Sequence, residues 1–196
     1  MSAEIITIHQ QNPHARSIEK VVNVLKNKGL IVYPTESGYA LGCTLGNTKA
    51  YERIIKIRQV SKKHNFTLMM QDLSQIGEYA KVDNNVFRIL KNTLPDAYTF
   101  ILEGTRIVPK KLLNDKRKTI GIRVSSNNIV QHLLQNLQEP MMSISLVFPE
   151  ITIYDVDDVV DLVGKSVDMI IDGGYCPPEP TTVIDLSNET PILIRH

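Results

Sequence analysis

The chain has 196 residues, 42% of them hydrophobic and 22% charged, which is enough to bury one sizeable core, and its formal net charge at pH 7 is only +1. No stretch approaches the ~20 consecutive apolar residues of a membrane span, and the start MSAEIITIHQQ lacks the basic and apolar regions of a secretory signal, so a cytoplasmic, single-domain protein over residues 1–196 is expected. The two cysteines, Cys43 and Cys176, are too few and too far apart for a disulfide framework, and the five histidines lack the close pairing of a zinc site, so no metal-ligating set is expected.

Helix and strand signals alternate along the chain. Ser17 can cap a helix whose Ile18, Val21, Val22 and Leu25 share one face, and Gly29 stops it before a strand at 30–33. Asn47 can cap a second helix with Tyr51, Ile54 and Ile55 inward, ending near 56–58. A strand follows at 66–70, helices at 73–79 and 84–91, and a strand, YTFIL, at 98–102. KTIGIRV, 118–124, alternates as a strand, and the helix at 128–137 after it carries Ile129, Val130, Leu133, Leu134 and Leu137 as its apolar stripe. Strands then read at 141–146, 169–171, 182–186 and 192–194, with a helix at 156–163 between the first two. This interleaving predicts an α/β domain with a twisted, mixed sheet.

Charge is divided along the chain. Residues 49–123 hold 16 of the 22 Lys and Arg against 7 acids, a local excess of +9, whereas residues 150–196 hold 10 acids against Lys165 and Arg195. One reading is a face that attracts polyanions such as nucleotides or RNA; the other is two solvated faces that meet in salt bridges.

Ligands gather beyond strand ends in open α/β sheets, so hydroxyl and charged groups at such ends are the first candidates for a site. Four groups qualify: 34–37 (PTES) after a strand; Lys56 and Arg58 at a helix end; Thr119 and Arg123 on a strand; and Ser143 and Ser145 on another. Lysine offers a point charge and arginine a planar fork, the usual pairing for phosphate and carboxylate. If the helix breaks there, Lys56 and Arg58 can turn to one ligand; on a continuous helix they diverge and serve only its dipole. Ser143 and Ser145 share a strand face and can bond one ligand, or pack beneath a helix. Thr181 and Thr182, delivered by the Pro-rich loop 174–182, either face a ligand or satisfy a strand start.

The run GLIVYPTESGYALGC followed in order by KIRQ, TIGIRV, PMMSISL, PTTVIDL and ILIR resembles the YrdC-like domain family, whose members include the threonylcarbamoyl-AMP synthases of tRNA modification. IRQVSKKHNFTLMM, KRKTIGIRV and MMSISL are similar to its YciO-type branch, and the resemblance is clearest over 29–195. It implies an open, twisted mixed β-sheet with flanking helices and a basic concave surface. It also implies a nucleotidyltransferase that joins L-threonine, bicarbonate and ATP, with Mg2+, into threonylcarbamoyl-AMP and pyrophosphate, and an association with tRNA and double-stranded RNA. The alternative is an RNA-binding protein of the same fold without synthase activity.

Carried over by motif, the resemblance places Lys56 and Arg58 at the reacting phosphate and carbamate, as catalytic residues. Thr35, Arg123, Ser143, Thr181 and Thr182 fall at the threonine site, with Arg123 as the carboxylate clamp; Arg58, Lys62, Thr119, Ser145 and Arg195 fall at the nucleotide. Pro34 is expected to end its strand, with Gly38 and Gly42 turning the backbone beneath the pocket. Arg106, Lys110, Lys111, Lys116, Arg117 and Lys118 are the candidate RNA contacts. Two departures from the family pattern predict weakened or altered activity: Ser145 stands where the family has a nucleotide-binding asparagine, and LVFPEI, 146–151, replaces its Ser- and Gly-rich loop.

Overall fold

The computed structural model describes residues 2–62 and 64–196. In chain order the elements are β1 Glu4–Thr7, α1 Ala15–Lys26, β2 Ile31–Thr35, β3 Gly38–Thr44, α2 Thr48–Arg58, β4 Thr67–Met69, α3 Ile76–Tyr79 and α4 Asn84–Thr93. They continue with β5 Tyr98–Glu103, β6 Thr119–Arg123, α5 Asn128–Leu137, β7 Met141–Ser145, α6 Val156–Val163, β8 Met169–Asp172, β9 Thr182–Asp185 and β10 Ile192–Arg195. Among the described residues these strands form a single mixed sheet in the order β1-β8-β2-β3-β7-β4-β6-β5-β9-β10, as the interleaved pattern predicts.

Successive side chains on a strand point to opposite faces, and this period of two sorts the core. On one face Ile31 and Tyr33 of β2, Met169 and Ile171 of β8 and Met141 of β7 pack under α1 and α5. On the other face Val32, Ile170, Met142, Leu68 and Phe100 pack with Ala50, Tyr51 and Ile54 of α2, Leu90 of α4 and Val159 of α6. The stripes Ile18, Val21, Val22, Leu25 and Ile129, Val130, Leu133, Leu134, Leu137 are all buried, and each such side chain contributes roughly 1.5–3 kcal/mol.

Sequence and structure differ at specific points. The helix after His14 starts earlier than a Ser17 cap would allow, because the N–H groups of Ser17 and Ile18 already donate to the His14 carbonyl. The segment 73–79 is a 3-10 turn, Leu73–Gln75, leading into α3. Pro34 does not end β2. The strand pairs with β8 only at Ile31 and Val32, so its N–H-free position opposite Tyr39 costs no ladder bond on that side. Gly38 turns the chain at φ 101, but Gly42 belongs to a straight strand, β3, that the sequence reading did not anticipate. Its missing side chain makes room for Tyr33, since a Cβ there would lie 2.6 Å from the Tyr33 ring.

Gly42→Ala should therefore push the Tyr33 ring out of register and destabilise the fold by about 1–3 kcal/mol, read as a lower urea midpoint with unchanged slope. Wild-type stability in this variant would show that the ring has room to move.

Candidate functional site

One row of side chains, fixed by strand register, crosses the α1/α5 face of the sheet: Ile31, Gly42, Ser143, Thr67, Gly121, Ile101 and Asp185. The helices cover its apolar start. Beyond Met69 of β4 no helix lies on this face among the described residues, and the row becomes mostly small or polar, with Ile101 as its apolar member. There the sheet forms the floor of a cleft of about 390 Å3, lined by Thr67, Thr99, Thr119, Gly121, Arg123, Ser145 and Thr181, with Arg58, His64, Arg117 and Arg195 around it. Gly121 sets the depth, because a Cβ there would meet the Thr67 methyl at 2.4 Å and the Thr99 methyl at 3.4 Å.

The cationic lining is held from several directions. Arg58, the last residue of α2, donates to the Val147 carbonyl and lies 5.9 Å from the centroid of the Phe148 ring. Burial lowers its pKa from the ordinary arginine value. Burial also lowers the pKa of His64, and the Arg58 charge acts in the same direction, both favouring the neutral imidazole. Arg195 donates from Nε to the Thr181 carbonyl at 3.0 Å and from Nη2 to Thr181 Oγ1 at 3.1 Å, and Thr181 Oγ1 bonds Thr99 Oγ1 at 2.8 Å.

Arg117 pairs with Asp185, whose side chain is buried. Burial alone would raise the Asp185 pKa, but hydrogen bonds from Ser187 and Arg117 outweigh it and hold the carboxyl below its usual range. Arg123 is 4% exposed and ion-paired with Glu36; it also donates from Nη2 to Ser37 Oγ at 2.7 Å. Glu36 in turn accepts from Ser125 Oγ, which itself accepts from the Asn127 backbone N–H at 3.1 Å.

Of the residues singled out in the sequence, the cleft brings together Arg58, Thr119, Arg123, Ser145, Thr181, Arg195 and Arg117. It does not bring in Lys56. Helix α2 runs unbroken through both basic residues and ends at Gln59, φ 51, so Lys56 diverges into a separate pocket of about 500 Å3 with Arg53, Phe148 and Lys165. Thr182 alternates away from Thr181 and Val183, which line the cleft. Lys62 is exposed, and its carbonyl accepts from the Tyr51 hydroxyl at 3.2 Å.

Ser143 is 2% exposed and bonds the Tyr33 hydroxyl at 2.6 Å, beneath the cleft rather than in its lining. Burial pushes the Tyr33 phenol up to about 12, against the lowering effect of Ser143, so it stays protonated. The Thr35 hydroxyl is turned inward: it donates to the Gly38 carbonyl at 2.7 Å and accepts from the Ser37 N–H at 3.0 Å.

The RNA candidates divide. Arg106, Lys110 and Lys118 line a depression of about 750 Å3 with Lys81 and Glu103. Lys111 sits 4.8 Å from the Tyr51 ring centroid and donates to Thr48 Oγ1 at 2.9 Å, and Lys116 is exposed. Sequence reasoning missed His64, Thr67 and Thr99 in the cleft and the roles of Glu36, Ser37 and Ser125 around Arg123. The alternation of Thr67 with Leu68, and of Thr99 with Phe100, was the one signal that could have found two of them.

Comparison with known proteins agrees with this architecture. The Sua5/YciO/YrdC family model, described as telomere recombination, matches residues 23–196. YciO of Escherichia coli K12 is 51% identical over 196 residues, covering 99% of this chain and 95% of its own. The crystal structure of E. coli YciO gives a TM-score of 0.95 at 50% identity, over 99% of this chain and 95% of that one. Threonylcarbamoyl-AMP synthase of Vibrio vulnificus (strain YJ016) is 27% identical over 161 residues, 80% of this chain and 86% of the relative. P. abyssi Sua5 complexed with L-threonine has the same fold, with a TM-score of 0.89 at 22% identity over 97% of this chain and 56% of that chain. The arginine-lined open face thus sits on a shared scaffold: this chain belongs to the Sua5/YciO/YrdC family.

Proposed function

We propose that the cleft binds L-threonine and ATP and that the protein makes threonylcarbamoyl-AMP, a precursor for tRNA modification, in the cytoplasm. The observation that carries this reading is the continuous cleft in which Arg58, Arg117, Arg123 and Arg195 surround a floor of hydroxyls and one glycine. Such a lining suits a ligand with several anionic oxygens. It supplies orientation and neutralisation of charge, which is what phosphoryl transfer asks of a protein. Kinship to the V. vulnificus synthase and to Sua5 complexed with L-threonine supports it.

In this reaction the threonine nitrogen attacks bicarbonate carbon and water is lost. A carbamate oxygen then attacks the α-phosphorus of ATP while the bond to the β-phosphate oxygen breaks and pyrophosphate leaves. Arg58, at the cleft wall, is suited to hold the phosphate charge, and Arg123, Thr99 and Thr181 are suited to orient the amino acid. The reading gives Lys56 no place in the cleft wall as it stands, and it assigns Ser143 to the support beneath the floor.

Among the described residues no group of three or more His, Cys, Asp or Glu side chains could hold a metal ion, and the acids beside the cleft, Glu36 and Asp185, are each committed to an arginine. These residues do not fit a resident Mg2+ site. Mg2+ therefore enters only as the partner of the ATP phosphates in the substrate.

A second reading rests on the depression lined by Arg106, Lys110 and Lys118, with Lys81 paired to Glu103 beside them, which gathers cations outside the cleft and favours RNA binding. The two readings are compatible.

Purified protein given L-threonine, bicarbonate and ATP–Mg2+ should release pyrophosphate only when threonine is present; its absence at high enzyme concentration sinks the synthase reading. Arg58→Ala should lower kcat/KM by about 100-fold or more, while an unaffected rate removes Arg58 from the reaction. Gly121→Ala, which fills the floor, should weaken threonine or ATP binding by about tenfold in calorimetry with the circular dichroism unchanged. For RNA, Lys110→Glu with Lys118→Glu should reduce the slope of log affinity against log salt by about 2, and an unchanged slope rules out contact there.

A further inference from the structure

The pair formed by Glu36 and Arg123 constrains more than charge. A guanidinium can grip a carboxylate with two parallel N–H bonds along either of two edges, one made by Nε and Nη2 and the other by Nη1 and Nη2. Nη2 belongs to both. In this protein its two N–H groups go to Glu36 Oε1 and to Ser37 Oγ. Nε is buried without a hydrogen-bond partner among the described residues, and no bond is made from Nη1 there. Neither fork is open to a ligand while this arrangement holds.

Glu36 is itself fixed. Its second oxygen, Oε2, accepts from Ser125 Oγ, and Ser125 is 0% exposed, with its carbonyl accepting from Gln131 Nε2 at 2.6 Å and its hydroxyl accepting the Asn127 N–H. Asn127 is the N-cap of α5 and accepts from the Ile129 N–H at 2.9 Å. The chain of bonds runs from the helix start through Ser125 and Glu36 to the arginine in the cleft wall. A side chain held at both oxygens is braced, unlike a loose carboxylate waiting to be displaced.

We infer that Glu36, braced by Ser125, is a positioning residue that fixes the Arg123 guanidinium so that it meets the ligand through one nitrogen, Nη1, rather than as a two-pronged clamp. This rests on the reading of Arg123 as a ligand-facing residue on the threonine side of the cleft. It also separates the chain from the simple carboxylate clamp that the family resemblance implies. A competing arrangement, in which Glu36 stands in for the substrate carboxylate and leaves when threonine arrives, predicts the opposite response to its removal.

Two measurements on the full chain separate these cases. In nitrogen-15 spectra, the Arg123 Nε–H signal, assigned through its loss in Arg123→Lys, should be a discrete, slowly exchanging resonance. It should merge with the averaged signal of mobile arginines in Glu36→Gln and broaden in Ser125→Ala, which keeps the Glu36 charge. A discrete signal that persists in both variants overturns the positioning role, whatever the substrate. In calorimetry, Glu36→Gln should weaken L-threonine binding by about tenfold or more while changing inorganic pyrophosphate binding by less than about threefold. Tighter threonine binding in Glu36→Gln identifies Glu36 as a competitor and overturns the proposal. If the unmodified protein binds no threonine, the synthase reading fails, and the Nε–H spectra still decide whether Glu36 positions Arg123.

Discussion

A wide sheet with too few helices on one face is the constraint from which the rest of this molecule follows. Helices α1 and α5 bury the apolar residues of β8, β2 and β7 and reach Met69 of β4, but among the described residues the face continues through β6, β5, β9 and β10 without a helical cover. A wide uncovered face that stayed wholly apolar would be a sticky patch, and here it changes character at Ser143 into threonines, a glycine and arginines interspersed with Ile101, Val183 and Ile194. The other face of β4, β5 and β6 is occupied by core, through Leu68, Phe100, Ile120 and Ile122. Thr67, Thr99, Thr119, Gly121 and Ser145 of the floor are thus each backed by a buried neighbour in sequence.

Tyr33 marks the boundary between covered and open regions. Its ring crosses Gly42, and its hydroxyl meets Ser143, so the first polar residue of the row is satisfied from the core side and not from solvent. Buried hydroxyls left without partners cost about 1–3 kcal/mol each, which is the reason such a boundary needs a residue that is apolar at one end and polar at the other. The arginines beyond it are held apart in the same manner: Arg58 by Val147 and Phe148, Arg117 by Asp185, Arg123 by Glu36, Arg195 by Thr181. Each is placed before any ligand arrives, which reduces the ordering that binding must supply.

Much of this was legible from residue order. The stripes of α1 and α5, the Asn47 cap of α2 and the alternation in β6 are local patterns, and local patterns survive folding unchanged. The departures arose where a residue answers to a distant partner. Gly42 reads as a turn residue, but serves a ring from the neighbouring strand; Ser143 reads as a ligand contact, yet its hydroxyl is committed to Tyr33. Lys56 and Arg58 differ in fate because α2 stays helical to its last residue, and two positions along a helix turn by about 200°, a fact that spacing alone leaves open.

The sequence by itself determined the class of fold, the periodic stripes that build both cores and, through ordered motifs from YPTES to ILIR, the family. It also carried three of the cleft's arginines, Arg58, Arg123 and Arg195, whereas Arg117, expected as an RNA contact, lines the cleft instead. Only the tertiary structure decided which hydroxyls and charges face the same space, because register across β7, β4, β6, β5 and β9 sets that, and register is a relation between segments far apart in the chain. For the same reason the tie between Glu36 and Arg123, 87 residues apart, emerges only when the β2–β3 turn and the end of β6 are brought together.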